Sequence, residues 1–391
     1  MKKTYLIIGG VSAILILLAI WVYLLIYGTP KPIENFFTDF SFTGESTSDS
    51  PLIDTPLVES PQIDVVTAKL RQLTTKPVIG FREISDAESS DRELYYAEAG
   101  TGYIYKINLV TGEETRISGT TLPNASKAAF DQNGQYVAVA TGYTNPSSVT
   151  LLTLGNTDNS SARALSQKIV DFSFSSASQL LYTEYTSSGQ SGRTLNPETY
   201  IVGTIFNVPF QSANIIWSTS PSIPHYVYPK SSSELTGYLY SLQGGGLKRL
   251  PESGLGLTAL TNADYIITTK ITGTTPQSRA LNLNTNKDTG IPVVADPNKC
   301  VLSGLNTNQM YCGNDLTNYG NDFPDDWYKG TRSFNDRLFL VDLDRGSATQ
   351  LISPEATLGR TVDVINMSIS PDGRVLYFIN KNDNTLWMYE I

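Results

Sequence analysis

Apolar positions in this chain follow three patterns, and each predicts a different kind of element. From residue 5 to residue 27 the run YLIIGGVSAILILLAIWVYLLIY carries no charge. At roughly 1.5 Å per residue it spans about 34 Å as a helix, enough to cross a hydrocarbon core of about 30 Å. Between residues 28 and 64 the apolar positions thin out among Pro, Ser, Thr, Asp and Glu. Such a segment buries too little surface to offset its ordering entropy and reads as a tether. From residue 65 onward short apolar runs return between turn residues, the pattern of strands.

Those strands are apolar on both parities, as in Glu93-Leu94-Tyr95-Tyr96-Ala97 and Arg337-Leu338-Phe339-Leu340-Val341. A sheet with one wet face alternates strictly, so these sheets are expected to be covered on both sides. The strands also repeat. Residues 367–379, with Asp372-Gly373 at the centre, align with residues 128–140, with Asn133-Gly134 at the centre. Both read as two strands around a tight turn that requires positive φ. Residues 172–182 follow the same plan without the glycine.

A second landmark follows the hairpins: Arg71-Gln72-Leu73, Thr115-Arg116-Ile117, Arg163-Ala164-Leu165, Lys248-Arg249-Leu250 and Thr349-Gln350-Leu351. Interpolating copies near 206 and 291 gives seven units, each with room for four short strands, the pattern of a seven-bladed β-propeller. The last unit has three strands, whereas residues 66–74 offer a lone one. Pairing the two closes the ring and leaves no open edge. A stack of separate sandwich domains is the alternative; it calls for linkers that are not visible after Val65.

Ser370-Pro371-Asp372-Gly373-Arg374-Val375-Leu376-Tyr377-Phe378, followed by Thr385-Leu386-Trp387-Met388-Tyr389, resembles the repeat of WD-repeat-like bacterial propellers. That group includes the Tol-associated periplasmic propeller and the N-terminal propeller of dipeptidyl-peptidase-type serine peptidases. The resemblance spans residues 65–391 and implies an all-β disc used for protein or peptide docking. In the peptidases the disc gates a hydrolase domain, but no Gly-x-Ser-x-Gly nucleophile elbow occurs in this chain.

Charge sets the orientation. Lys2 and Lys3 precede the apolar run and only Lys31 follows it closely, so residues 1–4 are expected in the cytoplasm and everything after 27 outside it. A cleaved signal peptide is the rival reading. It prefers a shorter apolar region ending in small residues, whereas this one ends bulky. Within the 28–64 tether, Pro51, Pro56 and Pro61 open an acidic five-residue repeat that favours an extended spacer, with peptide docking as the sharper alternative. Twenty-eight basic against 37 acidic residues give a net charge of −9, which repels a phosphate backbone and argues against a nucleic-acid partner.

Candidate chemistry is sparse. His225 is the only histidine, which rules out a histidine-rich metal site. Cys300 and Cys312 flank a predicted hairpin and lie opposite each other in its simplest register, so a disulfide is expected in an exported domain. The longest insertion, residues 313–330, carries Asp322, Asp325, Asp326, Trp327 and Tyr328. A packed loop around a buried Trp is one reading, a docking platform a second and calcium a third, although the spacing does not fit an EF-hand. Residues 186–196 and 272–278 read as polar loops without a site. No motif calls for a cofactor. The sequence therefore points to a membrane-tethered, non-enzymatic propeller that binds a protein or peptide in the cell envelope. A hydrolase or lyase with its site in the central channel is the competitor.

Overall fold

In the computed structural model, which describes residues 69–85, 92–142, 148–155, 161–218, 223–317 and 319–391, the first strand, β1 (Leu70–Gln72), stands apart from the sheet that follows it in sequence. That sheet is antiparallel, in the order β2 (Val78–Ser85), β3 (Arg92–Glu98), β4 (Ile104–Asn108) and β5 (Glu114–Arg116). The order recurs in β6 (Ala125–Phe130), β7 (Tyr136–Thr141), β8 (Ser148–Thr153) and β9 (Ser161–Ala164). It recurs again in β10 (Ile169–Phe174), β11 (Leu180–Thr186), β12 (Gly189–Leu195) and β13 (Val202–Val208).

Seven strands then share one sheet: β14 (Ala213–Ile216), β15 (His225–Pro229), β16 (Thr236–Gln243), β17 (Gly246–Thr261), β18 (Tyr265–Thr272), β19 (Thr275–Asn282) and β20 (Asp288–Ile291). At 16 residues β17 pairs with β16 through its first half and with β18 through its second. β21 (Cys300–Leu302), β22 (Gln309–Asn314), β23 (Arg337–Asp342) and β24 (Ser347–Ile352) form the next sheet. β25 (Val364–Ile369), β26 (Val375–Asn380) and β27 (Thr385–Glu390) form the last, and β1 is its fourth strand. Arg71 stands opposite Met388 in that closing pair.

The repeat landmarks fall on the final strand of each sheet: Arg71 on β1, Thr115 on β5, Arg163 on β9 and Thr349 on β24. Lys248 lies in the first half of β17. The interpolated copies fall on β13 and β20. The hairpin turns behave as their chemistry requires. Gly134 and Gly373 take φ of +67° and +71°, and Ser178 occupies the equivalent place at +54°. Ser178, a left-handed non-glycine residue, is held by the preceding sheet, because its Oγ donates to Asp131 at 2.9 Å.

Consecutive sheets face each other through apolar clusters. Val78, Leu94 and Tyr96 of the first sheet pack on Tyr377, Leu386 and Met388 of the last. Ile267 and Ala280 pack on Met310 and Val341, and Leu338 packs on Phe378 and Trp387. Burial of both sheet faces is the physical source of the two-parity apolar strands. The first strands approach so closely that a Cβ on Gly80 of β2 would meet the Ala128 carbonyl oxygen of β6 at 2.1 Å.

One expectation is corrected. Residues 186–196 were expected as a polar loop, but most of them form β12, whose residues 189–192 are buried. The small side chains are there because a Cβ at Gly192 would lie 2.2 Å from the Phe206 ring. In residues 272–278 the turn is confined to the link between β18 and β19.

Two short helices occur among the described residues, α1 (Asp325–Tyr328) and α2 (Pro354–Leu358). Among the same residues no helix is long and apolar enough to cross a membrane. The apolar run 5–27 and the tether 28–64 with its proline repeat lie outside them.

Candidate functional site

The insertion between β22 and β23 folds around its own aromatic core. Tyr319, Phe323, Trp327 and Phe334 pack with Val294, and Trp327 is only 2 % exposed. Asp322, Asp325 and Asp326 do not converge on one point. Asp325 accepts hydrogen bonds from the Ser233 backbone N–H at 2.6 Å and from the hydroxyls of Ser233 at 2.7 Å and Ser232 at 3.1 Å. Burial alone would raise its pKa, but these donors outweigh burial and hold the carboxyl below its ordinary range. The insertion is thereby fastened to the segment between β15 and β16, more than ninety residues away in sequence.

Asp326 pairs with Arg332 instead. Asp322 is exposed, and its backbone carbonyl accepts from the Asp326 N–H at 3.1 Å. The carboxylates that suggested calcium are therefore not gathered at one point. Among the described residues no group of three or more His, Cys, Asp or Glu side chains is placed to hold a metal ion.

Beneath Trp327 lies a buried ionic cluster. Lys299, fully buried, contacts Asp336 and lies 2.5 Å from Asp363. Its ammonium also sits 4.9 Å from the ring centres of Trp327 and Phe334. Trp327 donates its indole N–H to Asp363, and Lys381 donates to the Trp327 carbonyl while lying 4.3 Å over its ring. Burial pushes the Asp336 carboxyl up to about 6, against the pull of Lys299. Burial alone would lower the Lys299 pKa, but the two carboxylates outweigh it and raise the value.

Tyr328, next in sequence, is 36 % exposed and turns toward a cavity of about 610 Å³. Asp171 of β10, Trp217, Tyr228 and Lys230 at β14–β15, and Asn298 before β21 line that cavity with it. The walls come from β10, the β14–β15 pair, the second half of β17, the residues before β21 and α1. The Tyr328 hydroxyl donates to Asp296 at 3.4 Å. Burial raises the pKa of Tyr228, Tyr328 and Asp296 alike. The Trp217 indole N–H is buried without a hydrogen-bond partner. Asp171 is paired with Lys127 of β6. A further cavity of about 420 Å³ is lined by Arg82 of β2, Lys127 of β6 and Asn366 of β25.

His225 opens β15, accepts the Ser218 backbone N–H on Nδ1 at 2.8 Å and packs on Phe206 and Trp217. Cys300 and Cys312 stand opposite each other in the β21–β22 pair and form a disulfide. Of the singled-out residues, Trp327 meets the buried cluster and Tyr328 the cavity shared with Trp217 and Tyr228. Trp217, Tyr228 and Lys230 escaped the sequence reading because they lie in a different repeat unit from the insertion, and Lys299 because it lies ahead of β21, outside the insertion. The visible signal was confined to Lys299, a charge next to the buried Cys300.

No protein-family model matches this sequence, and no curated protein does. Solved structures do. An oligogalacturonate lyase in complex with manganese matches over 81 % of this chain and 96 % of its own, at TM-score 0.50 and 10 % identity. The β-propeller domain of the Trilobed protease from Pyrococcus furiosus matches over 81 % and 93 %, at 0.48 and 8 %. TolB from Acinetobacter baumannii matches over 80 % and 79 %, at 0.43 and 11 %. At this identity the likeness carries the fold alone, a β-propeller.

Proposed function

We propose that this β-propeller is a seven-bladed, membrane-tethered docking module that holds a protein or peptide partner in the cell envelope. The blade count follows from letting β17 serve twice, as the last strand of one blade and the first of the next. The 27 strands then make seven groups of four. The run 5–27 would anchor the chain with residues 1–4 in the cytoplasm, and the tether 28–64 would set the distance to the membrane.

One observation carries the docking role. The insertion is fastened at three places, by Asp325 to Ser232 and Ser233, by Trp327 to Asp363 and by Lys381 to its backbone. Thus fixed, it sets Tyr328 beside Trp217 and Tyr228 around one cavity. Rigid aromatic walls with a few polar groups suit capture of an apolar side chain on an extended segment.

A photo-crosslinking residue at Tyr328 is expected to capture one envelope protein, and the capture is expected to fall when Trp217→Ala is added. Equal capture from Arg345, in the β23–β24 turn, would exclude the proposed surface. A channel enzyme, hydrolase or lyase, is the second reading. It is favoured by Asp296, a buried carboxyl with raised pKa beneath the Tyr328 hydroxyl. A panel of glycans and peptides tests it. Turnover that Asp296→Asn abolishes would support it, and turnover indifferent to that change would not.

A further inference from the structure

The buried cluster under the insertion combines features that an ion pair alone does not require. Lys299, Asp336 and Asp363 are each fully buried, and taking three charged groups out of water costs more than their attraction returns unless every oxygen is satisfied. One is not. Asp336 Oδ2 accepts the Val364 backbone N–H at 2.8 Å and contacts Lys299, but Oδ1 has no hydrogen-bond partner. Asp363, by contrast, is fully used: it takes Lys299, the Trp327 indole, the Ser333 hydroxyl and the Phe334 N–H.

We propose that Lys299 and Asp336 condense spontaneously to an intramolecular amide, with Asp363 relaying the proton. Moving one proton from the Lys299 ammonium to Asp336 turns the ion pair into an amine and a carboxylic acid without changing the total proton count. Burial raises the Asp336 carboxyl toward that transfer, while the two carboxylates hold the proton on Lys299, so the neutral pair is the minor form from which the reaction proceeds. The Nζ lone pair then adds to Cγ of Asp336, forming the C–N bond. The oxygen that becomes negative lies where the Val364 N–H already donates.

Asp363, 2.5 Å from Nζ, takes a proton from nitrogen and returns it to the departing hydroxyl. The C–O bond breaks and water leaves. One amide and one water account for all atoms, and no oxidant or reductant enters. Amide formation is unfavourable between free reactants in water, but fixed neighbours reach effective concentrations of about 10⁵–10⁸ M. The product removes the orphaned oxygen's charge and leaves Asp363 facing Trp327 and Lys381. The bond would join the entry of β21 to the entry of β23, so that the insertion is closed by an amide as well as by packing.

Peptide mapping of the full chain, purified in detergent, reduced, denatured and digested with trypsin, tests the proposal. An acylated Lys299 is not cut. The expected product is residues 288–329, uncut at Lys299, joined to residues 333–337, at a mass about 18 Da below the sum of the two. It is expected to be lost in Lys299→Arg and in Asp336→Ala. In Asp363→Asn, which keeps the shape of the proton relay and removes its base, the link is expected to be absent from protein whose circular dichroism is unchanged. Clean cutting after Lys299 in the wild-type chain, with residues 333–337 released at their unmodified mass, overturns the amide. A link to residues 361–374 overturns Asp336 as the acceptor, and a link that persists in Asp363→Asn overturns the relay. The wild-type digest alone decides the main claim, even if every variant fails to fold.

Discussion

Trp327 donates its indole N–H to both carboxylate oxygens of Asp363, at 3.1 and 2.9 Å, and so ties the insertion of one sheet to the residue that leads into the first strand of the next. The bond is buried at both ends. Trp327→Phe keeps most of the packing but withdraws a donor from a buried carboxylate. Loss of about 1–3 kcal/mol of stability is expected. Urea denaturation, with tryptophan replaced as reporter by far-ultraviolet dichroism, measures it.

The Cys300–Cys312 disulfide closes a short loop, with 12 residues separating the cysteines in sequence. Replacing both by Ser is expected to cost about 2–3 kcal/mol by the chain-entropy relation. The loss appears as a lower midpoint in non-reducing denaturation, and wild type treated with reductant should match the double variant.

Gly80 tests how closely the first strands approach. Its added Cβ would meet the Ala128 carbonyl oxygen at 2.1 Å, against backbone that has nowhere to go. Gly80→Ala is expected to destabilise by about 1–3 kcal/mol. Gly112→Ala should cost less: nothing lies within 4 Å of its Cβ, although its φ of +75° adds some strain. Comparing the two melting temperatures separates close approach from the general effect of losing glycine.

His225 gives a clean pH test because it is the only histidine. Burial lowers its pKa in the folded state, so between that value and the ordinary value of about 6.5 the unfolded chain binds the extra proton. Its contribution to stability is therefore complete above about pH 6.5 and falls away as the pH drops below it. Melting temperatures of wild type and His225→Gln from pH 8 to pH 5 should move apart in the wild type's disfavour below about pH 6.5. A constant difference across that range would refute the assignment.

Leu70, on the closing strand β1, is buried against Trp387 and Tyr389. Leu70→Ala is expected to cost about 2–5 kcal/mol. It should also raise aggregation on storage, because loosening β1 bares the edge of β27. Light scattering and a denaturation midpoint read the two effects separately.

Much of the architecture was legible in the residues. Gly134 and Gly373 marked hairpins because a tight turn needs positive φ, and Arg71 and Thr349 marked the strands that end their sheets. Two-parity burial followed from runs such as Leu94-Tyr95-Tyr96. These signals are local, since turn chemistry and strand periodicity act over a few residues. Where the local signal was polar it misled: Gly189 to Thr194 carry no large apolar side chain, and only the Phe206 ring above Gly192 explains why that segment packs as a strand.

The site was not legible in the same way. The sequence marked Asp322, Asp325 and Asp326 as a group because they are neighbours in the chain, yet in space Asp325 turns to Ser232 and Ser233, Asp326 to Arg332, and Asp322 is exposed. Asp336 and Asp363 lie 37 and 64 residues from Lys299 along the chain, and Tyr328 belongs to a different repeat unit from Trp217 and Tyr228. The sequence by itself determined the repeat, its strands and the pairing of its ends, because those rest on backbone conformation and short-range burial. Only the tertiary structure decided which charges share a buried site and which aromatics share a cavity. Ring closure brings together residues whose separation along the chain leaves no periodic trace.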